Sequence, residues 1–478
     1  MASGSDDSNF TTFPKKGKVP DPSALNRLAE MSTPKADPSE SVRGPMSSVI
    51  GAALLPGAPS FFRRRTFSLA LLLAGVVAPL VMLLVAFVRR SRITALVLDT
   101  GMLTVIQVIC ALFVLTRAVA IIEAIGARRR GSSMKSAAWV GALLVIVMMV
   151  PATWTVLRVR DLSSAIDEVF VSSGVSDAPL AESPISEPVS GATSNSGKEF
   201  TTVLLLGGDA GAGRWSLRTD TMILAIIHND SGRIAMVSIP RNMVGLKFPP
   251  MTPMADAFPN GFDDLANAIY PYVYTKPEVA NFYKRGELQP EAIALAGAIT
   301  YSMGITIDDY VLVDMVGFLE VIDALGGVTV TLDKEIPMPG NVGGAKHSYP
   351  PTLGPGTVHM DGTVALGFAR SRKADSDYSR MSRQRQLLAA LAAQTSGTDV
   401  LSNFPQITDI MKTYVRTSMS TDEFAFLIDR VRAGATINES FGLNPPLVNP
   451  AKPDFAAING FLVGIKDALA QNVDFPYA

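Results

Sequence analysis

Three apolar runs precede residue 160 and decide most of what this chain can become. TFSLALLLAGVVAPLVMLLVAFV covers 66–88, TALVLDTGMLTVIQVICALFVLTRAVAIIEAIGA covers 94–127, and AAWVGALLVIVMMVPATWTVL covers 137–157. A helix needs about 20 apolar residues to cross a hydrocarbon core, and each run meets that length. A single run of this kind can be the core helix of a soluble protein. Three in succession predict a membrane anchor over 46–157, with transmembrane helices at about 66–88, 94–125 and 137–157. The first run is not a cleavable signal, because a long tail precedes it and two more runs follow.

Lysine and arginine set the expected topology. Arg63, Arg64 and Arg65 end the tail, and the second loop carries Arg128, Arg129, Arg130 and Lys135. Together they outweigh Arg89, Arg90 and Arg92 of the first loop. The N-terminus is therefore expected in the cytoplasm and everything beyond residue 158 outside it. Residues 1–45 are rich in Ser, Pro, Asp and Lys without apolar period and read as a disordered cytoplasmic tail. Residues 158–198, including AESPISEPVSGATSNSGK, read as a stalk. The rest, 199–478, is the length of one domain.

In that domain EFTTVLLLGG, DYVLVD and VTVTLD read as strands, and TMILAIIHNDSGRIAMVSIP as a hairpin turning at Asn229-Asp230-Ser231-Gly232. PEAIALAGAITYSMG and VGFLEVIDALGG read as helices, the second stopped by Gly326-Gly327. Strands alternating with helices predict an α/β domain with a mixed central sheet covered on both faces. Helices are also expected around Asp399–Thr413 and Thr421–Ala433.

Chemistry concentrates in GFARSRKADSDYSRMSRQRQ, residues 367–386, where six cations surround Asp375 and Asp377 in a chain of net charge -1. Asp361 is expected to cap a helix through Ala369, and Ser379 or Asp377 a second helix. On that second helix Arg380, Arg383, Gln384, Leu387, Leu388 and Leu391 share a stripe. The leucines face the core, so Arg380, Arg383 and Gln384 point inward at its rim, where free N–H groups also favour an anion. Arg385 falls off the stripe and is expected in solvent. A phosphate or pyrophosphate matches several arginines better than two acids do; a surface ion-pair network is the alternative. GGDAGAGRWSLRTDT places Asp209 at one strand end, then Arg214, Arg218 and Asp220 at the start of the next. Two carboxylates at strand ends are suited to Mg²⁺ bridging phosphate oxygens. Arg241 in SIPRN follows a third strand. Cys110 is the single cysteine and lies in an apolar run, so no disulfide framework exists, and His228, His347 and His359 are far apart.

The ordered motifs LLLGGDAG…RTDTMILAII, SIPRN, LGGVTVTL and GTVHMDGTVALGFARSR…DYSRMSRQRQ resemble those of the LytR-CpsA-Psr family over about residues 200–395, and the three-span anchor is similar to actinobacterial members. The resemblance implies a membrane-anchored, extracytoplasmic phosphotransferase that moves a glycopolymer from an undecaprenyl (or decaprenyl) pyrophosphate carrier onto peptidoglycan, with pyrophosphatase activity as a side reaction. It implies an α/β/α sandwich with a hydrophobic tunnel for the polyprenyl chain. Asp209 and Asp220 become Mg²⁺ ligands, and Arg218, Arg241, Arg370, Arg372, Arg380 and Gln384 pyrophosphate ligands, joined by Arg383 from the stripe. Asp377 orients arginines or helps activate the acceptor, so Asp377, Arg241 and Arg372 form the catalytic set. Two features depart from the family pattern. Asn242 follows Arg241 where an acid is usual, and Leu265-Ala266 precede Asn267 where a lysine is common; Lys247 is a candidate replacement.

Two other readings use the same cations. A non-catalytic binder of membrane-proximal anionic lipid or polymer needs no turnover. An envelope-linked regulator contacting nucleic acid conflicts with the topology and with arginines on a core-facing stripe, so nucleic acid is not expected as a partner.

Overall fold

The computed structural model describes residues 50, 53–55, 69–70, 72–88, 100–126, 134–169, 198–208, 218–339, 350–373, 376–395, 403–432 and 437–475. The expected tail, residues 89–93 and 128–133 of the two loops between apolar runs, Asp209, Arg214 and Asp375 lie outside them, whereas Lys135 of the second loop is already helical.

Two helices are long and apolar enough to cross a membrane, Gly101–Glu123 and Trp139–Arg160. They belong to α2 (Thr100–Gly126) and α3 (Met134–Val169). Of the first expected span, helical residues at 69–70 and 72 precede a π-helical turn, Leu73–Val77, and α1 (Ala78–Val88). Pro79 explains the irregularity, since proline has no N–H for the preceding turn and widens or kinks a helix there. A third span is therefore not established among the described residues. The helix α3 also runs to Val169, taking in the first twelve residues of the expected stalk, because RVRDLSSAIDEV keeps good helix formers and no glycine or proline.

The C-terminal part is α/β with a six-stranded mixed sheet in the order β10-β3-β2-β1-β4-β9. Its strands are β1 (Phe200–Gly208), β2 (Thr219–His228), β3 (Ile234–Ser238), β4 (Asp309–Asp314), β9 (Val415–Thr417) and β10 (Ile437–Gly442). The hairpin β2–β3 turns at Asn229–Gly232 as expected, and β1 lies antiparallel to β2 but parallel to β4. The remaining strands β5 (Val328–Leu332), β6 (Ile336–Pro337), β7 (Thr352–Leu353) and β8 (Gly356–Met360) form two small antiparallel pairs, β5–β8 and β6–β7. The domain helices labelled here are α4 (Pro290–Met303), α5 (Met315–Ala324), α6 (Gly362–Arg370), α7 (Asp377–Gln394), α8 (Phe404–Tyr414), α9 (Thr421–Arg432) and α10 (Phe455–Gln471).

Strand alternation sends side chains to two different environments. Leu204, Leu206, Leu224, Ile226, Val237, Tyr310 and Leu312 pack into a continuous core with α4 and α10. Leu205, Ile223, Val311 and Val313 point the other way, toward α5, α6 and α7. Toward the far end of that face, Leu205 and Val311 also meet a small cluster of Val203, Ile227 and Met419, against which Phe424 and Leu427 of α9 pack. The hairpin β5–β8 forms its own core with Ile322, Phe368 and Leu387 from α5, α6 and α7.

Candidate functional site

The ends of β1, β2 and β4 meet at the edge of the second face. A bulge interrupts pairing between Gly207 and Gly208, and a Cβ at Gly207 would lie 2.8 Å from Thr221 Cβ. Glycine thus lets the two strands close beside Asp220, the second residue of β2. Over this edge α6 begins with Asp361 accepting from Val364 N, the cap expected from sequence. The cap of α7 is Ser376, not Ser379 or Asp377. The helix therefore starts earlier, and Asp377 is its first residue, free to use its carboxylate elsewhere.

That carboxylate joins a closed ring of alternating charge. Arg241 Nη1 donates to Asp220 Oδ1 at 2.9 Å, and Arg241 Nη2 lies 3.3 Å from Asp377 Oδ1. Arg380 Nη2 donates to Asp377 Oδ2 at 3.1 Å and to the Asp220 carbonyl at 3.0 Å. Arg380 Nη1 stands 3.9 Å from Asp220 Oδ2 and closes the ring. Arg372 approaches from solvent, 3.8 Å from Asp377 Oδ1. Burial pushes the Asp220 carboxyl up, but the hydrogen bond and charge of Arg241, then Asn267 and Arg380, outweigh it and hold the group below its ordinary value. Burial drives Arg380 down, opposed by Asp377 and assisted by Arg241. Arg241 is also lowered by burial, but Asp220 and Asp377 raise it above its usual value.

Asn267 is a member of this site that motif reading passed over. It is fully buried, donates Nδ2 to Asp220 Oδ1 at 3.0 Å, and donates its backbone N–H to the Arg241 carbonyl at 3.2 Å. One short polar residue thus fixes both an acid and the segment carrying an arginine. The available signal was an asparagine between two alanines, small enough to let the segment bury itself ahead of the apolar IYPYVY helix. Lys247 is exposed, and its backbone bonds to Ser302.

Behind the ring lies an apolar cavity of ≈ 200 Å³ between the sheet and helices α5, α6 and α7. Leu205, Ile223, Val311, Val313, Phe318 and Leu388 line it, while Asp220, Arg370, Arg380 and Gln384 stand among its polar lining residues. The cavity and the ring therefore share Asp220 and Arg380. A molecule that filled both would be apolar at one end and anionic at the other.

The expected site residues divide clearly. Asp220, Arg241, Asp377 and Arg380 form the ring, with Arg372 at its outer edge. Arg370 and Gln384 border the cavity, Gln384 donating weakly to the Ala369 carbonyl at 3.4 Å. Arg218 is exposed at the start of β2. Arg383 is buried as expected, but its guanidinium serves the end of α6, donating to the carbonyls of Phe368 and Ser371. It satisfies helix-end acceptors and is not brought into the ring. Arg385 is not in solvent. It is 7 % exposed and bonds Ser238 and Ser440, because α7 packs on the sheet edge as well as on the β5–β8 hairpin.

A Mg²⁺ ion was expected on Asp209 and Asp220. Among the described residues no group of three His, Cys, Asp or Glu side chains can hold a metal, and Asp209 lies outside them. Magnesium commonly needs only one or two carboxylates when phosphate oxygens and water complete its shell. Asp220 Oδ2 fits one such position, since its nearest guanidinium nitrogen is 3.9 Å away. The other carboxylate oxygens of the ring face guanidinium nitrogens at 3.3 Å or less.

Comparisons with known proteins converge on one family. The model of the LytR_cpsA_psr family matches residues 175–440. The polyisoprenyl-teichoic acid–peptidoglycan teichoic acid transferase TagU of Oceanobacillus iheyensis is 27% identical over 303 residues, 63% of this chain and 82% of that protein. Biofilm regulatory protein A of Streptococcus mutans is 26% identical over 234 residues, 46% of this chain and 51% of that protein. Among solved structures, TagV of B. subtilis is 22% identical, covers 58% of this chain and 98% of that one, and has a TM-score of 0.41.

Proposed function

The chain belongs to the LytR-CpsA-Psr family, and from this we propose that it is a membrane-anchored phosphotransferase attaching a glycopolymer from a polyprenyl-pyrophosphate donor to peptidoglycan. Relatives named as teichoic acid–peptidoglycan transferases support the reaction class. The two apolar helices support anchoring, and the domain lies on the extracytoplasmic side if residues 66–88 form a third span, as the distribution of arginines favours. The observation that carries the proposal is the continuity of ring and cavity through Asp220 and Arg380.

In this reading the polyprenyl chain lies along Leu205, Val311 and Phe318, and the pyrophosphate meets Arg380, Arg241 and Arg370. A hydroxyl of the acceptor sugar attacks the glycan-bearing phosphorus. The new P–O bond forms as the bond to the prenyl phosphate breaks, and the hydroxyl proton passes through water to the departing prenyl phosphate. Phosphoryl transfer relies on charge stabilisation and positioning. Asp220 and Asp377 contribute by holding the guanidinium planes before substrate arrives, so little reorganisation is needed. Asp220, together with Asp209, would hold Mg²⁺, whose charge when bound would neutralise phosphate oxygens. Anchoring adds a further gain, since a tethered domain meets a membrane-confined donor at high effective concentration.

The test is the full chain in lipid vesicles with a polyprenyl-pyrophosphate glycan and peptidoglycan fragments. Metal-dependent appearance of glycan on the acceptor supports the proposal. Tight donor binding with no transfer under any divalent cation leaves only a lipid-binding role.

A further inference from the structure

Arg385 carries a buried charge that no acid among the described residues balances. It projects from α7 with 7 % exposure. Its Nε donates to Ser440 Oγ at 2.8 Å and its Nη1 to Ser238 Oγ at 2.7 Å. Burial alone pushes the guanidinium down to about 10, with no carboxylate among the described residues opposing it. An apolar side chain of similar volume would occupy the same place without desolvating a cation. Such a side chain could not tie two hydroxyls on two different strands.

The two serines explain why that tie matters. Ser238 ends β3, pairs with Gly442 of β10, and accepts from Leu443 N at 3.0 Å. Three residues later the same chain presents Arg241. Ser440 lies within β10, next to β3. On the other side of the tie, Arg385 follows Asp377 and Arg380 along one helix. A single guanidinium therefore joins the element carrying Asp377 and Arg380 to the strand leading into Arg241.

We propose that Arg385 is a positioning residue: it straps α7 to the ends of β3 and β10 and so holds Arg380 and Asp377 in register with Arg241 and Asp220. Its catalytic consequence rests on the transferase reading above; its structural consequence does not. A displacement near 1 Å at a reacting group lowers a rate by about 100-fold, so loss of the strap lowers kcat by about 10- to 100-fold. The KM for donor changes little, because the apolar cavity is untouched.

The experiment uses the full chain carrying Arg385→Met or Arg385→Lys. Spin labels placed through cysteines at exposed Ser382 and Asn242, with Cys110→Ser, report the spacing of α7 from the Arg241 segment. Kinetics with a polyprenyl-pyrophosphate glycan and the thermal midpoint are measured alongside. The expected result is a broadened or shifted distance distribution in Arg385→Met, a reduced kcat, an unchanged thermal midpoint, and partial recovery in Arg385→Lys, which reaches one hydroxyl. If the unsubstituted chain shows no turnover but the distribution still broadens, the strap stands and the transferase reading fails. A parental distance distribution in Arg385→Met overturns the strap whatever happens to kcat. So does a loss of kcat that only follows a fall in thermal midpoint. If Arg385→Met does not fold, the Ser238→Ala, Ser440→Ala pair removes the same two bonds and is judged by the same distances.

Discussion

The two faces of the central sheet are built from the same residues in alternation, yet one is filled and the other is hollow. Leu204 and Leu205 are neighbours in β1. Leu204 is fully buried in the core made with α4 and α10. Leu205 is partly buried and lines the cavity beneath α5, α6 and α7. The filled face receives two long apolar helices, whereas the hollow face is roofed by helices whose inner residues include Arg370, Arg380 and Gln384. Charged side chains at the rim cannot fill an apolar space without losing solvation, so the roof stays open there. The comparison teaches that the packed core and the candidate site lie on opposite sides of one sheet.

The sharpest way to break this division is at Arg380. Arg380→Ala removes a largely desolvated guanidinium and leaves Asp220 and Asp377 underpaired, a change of about 2–5 kcal/mol in such contacts. That corresponds to a loss of turnover on the order of thirtyfold to several-thousandfold. Arg380→Lys should recover only part, since an ammonium cannot reach both Asp377 and the Asp220 carbonyl in one plane. Steady-state hydrolysis or transfer of a polyprenyl pyrophosphate measures both variants. Loss of folding without loss of specific activity would place Arg380 on the stability side.

The second test compares the adjacent leucines. Leu204→Ala should cost about 2–5 kcal/mol in chemical denaturation, because it opens a void in a filled core. Leu205→Ala should cost less than about half of that, since one side of Leu205 already faces empty space. Equal costs would mean the cavity is packed in solution. Leu388→Trp fills the space from α7 and should raise the KM for a long-chain donor by about tenfold, equivalent to about 1.4 kcal/mol, with the thermal midpoint retained. An unchanged KM would remove the cavity from the donor path.

Much of this division was legible in the sequence. The strands β1 to β4 announce themselves through apolar runs and a turn signal, and the helix α4 through its length. The edges were not. β9 has only VRT, and β10 reads INESFG, so their pairing is imposed by the sheet rather than by pattern. α10 carries no chemical motif, though its burial completes the filled face. Within the site, periodicity on α7 placed Arg380 inward because the leucines that follow fix its stripe. The same reasoning sent Arg385 to solvent, since it assumes a single packing partner. In the fold α7 meets both the β5–β8 hairpin and the ends of β3 and β10, which widens its buried arc. Arg383 was placed inward correctly, but its use by the end of α6 depends on carbonyls that no sequence motif reveals.

A further test concerns pH and separates the two ends of the hollow face. At the end away from the ring, burial and the nearby Glu423 charge push the Asp309 carboxyl up to about 7. The folded state therefore holds this proton more tightly than the unfolded chain, and stability falls as pH rises from about 4 to about 7. Asp309→Asn should remove that slope, which is on the order of 4 kcal/mol, in thermal melts across this range. At the ring end Asp220 is depressed, so its contribution is full above the ordinary carboxylate range and is lost only as pH falls through its lowered value. Asp220→Asn should leave the slope between pH 4 and 7 unchanged. A reversed pattern would exchange the roles of the two acids.

The central claim is that ring and cavity are two halves of one donor site. A structure of the chain bound to a polyprenyl pyrophosphate tests it most directly. The account predicts pyrophosphate oxygens against Arg380 and Arg241 and the prenyl chain between Leu205, Val311 and Phe318. A pyrophosphate held elsewhere, or a prenyl chain lying outside the cavity while the ring is occupied, would contradict it.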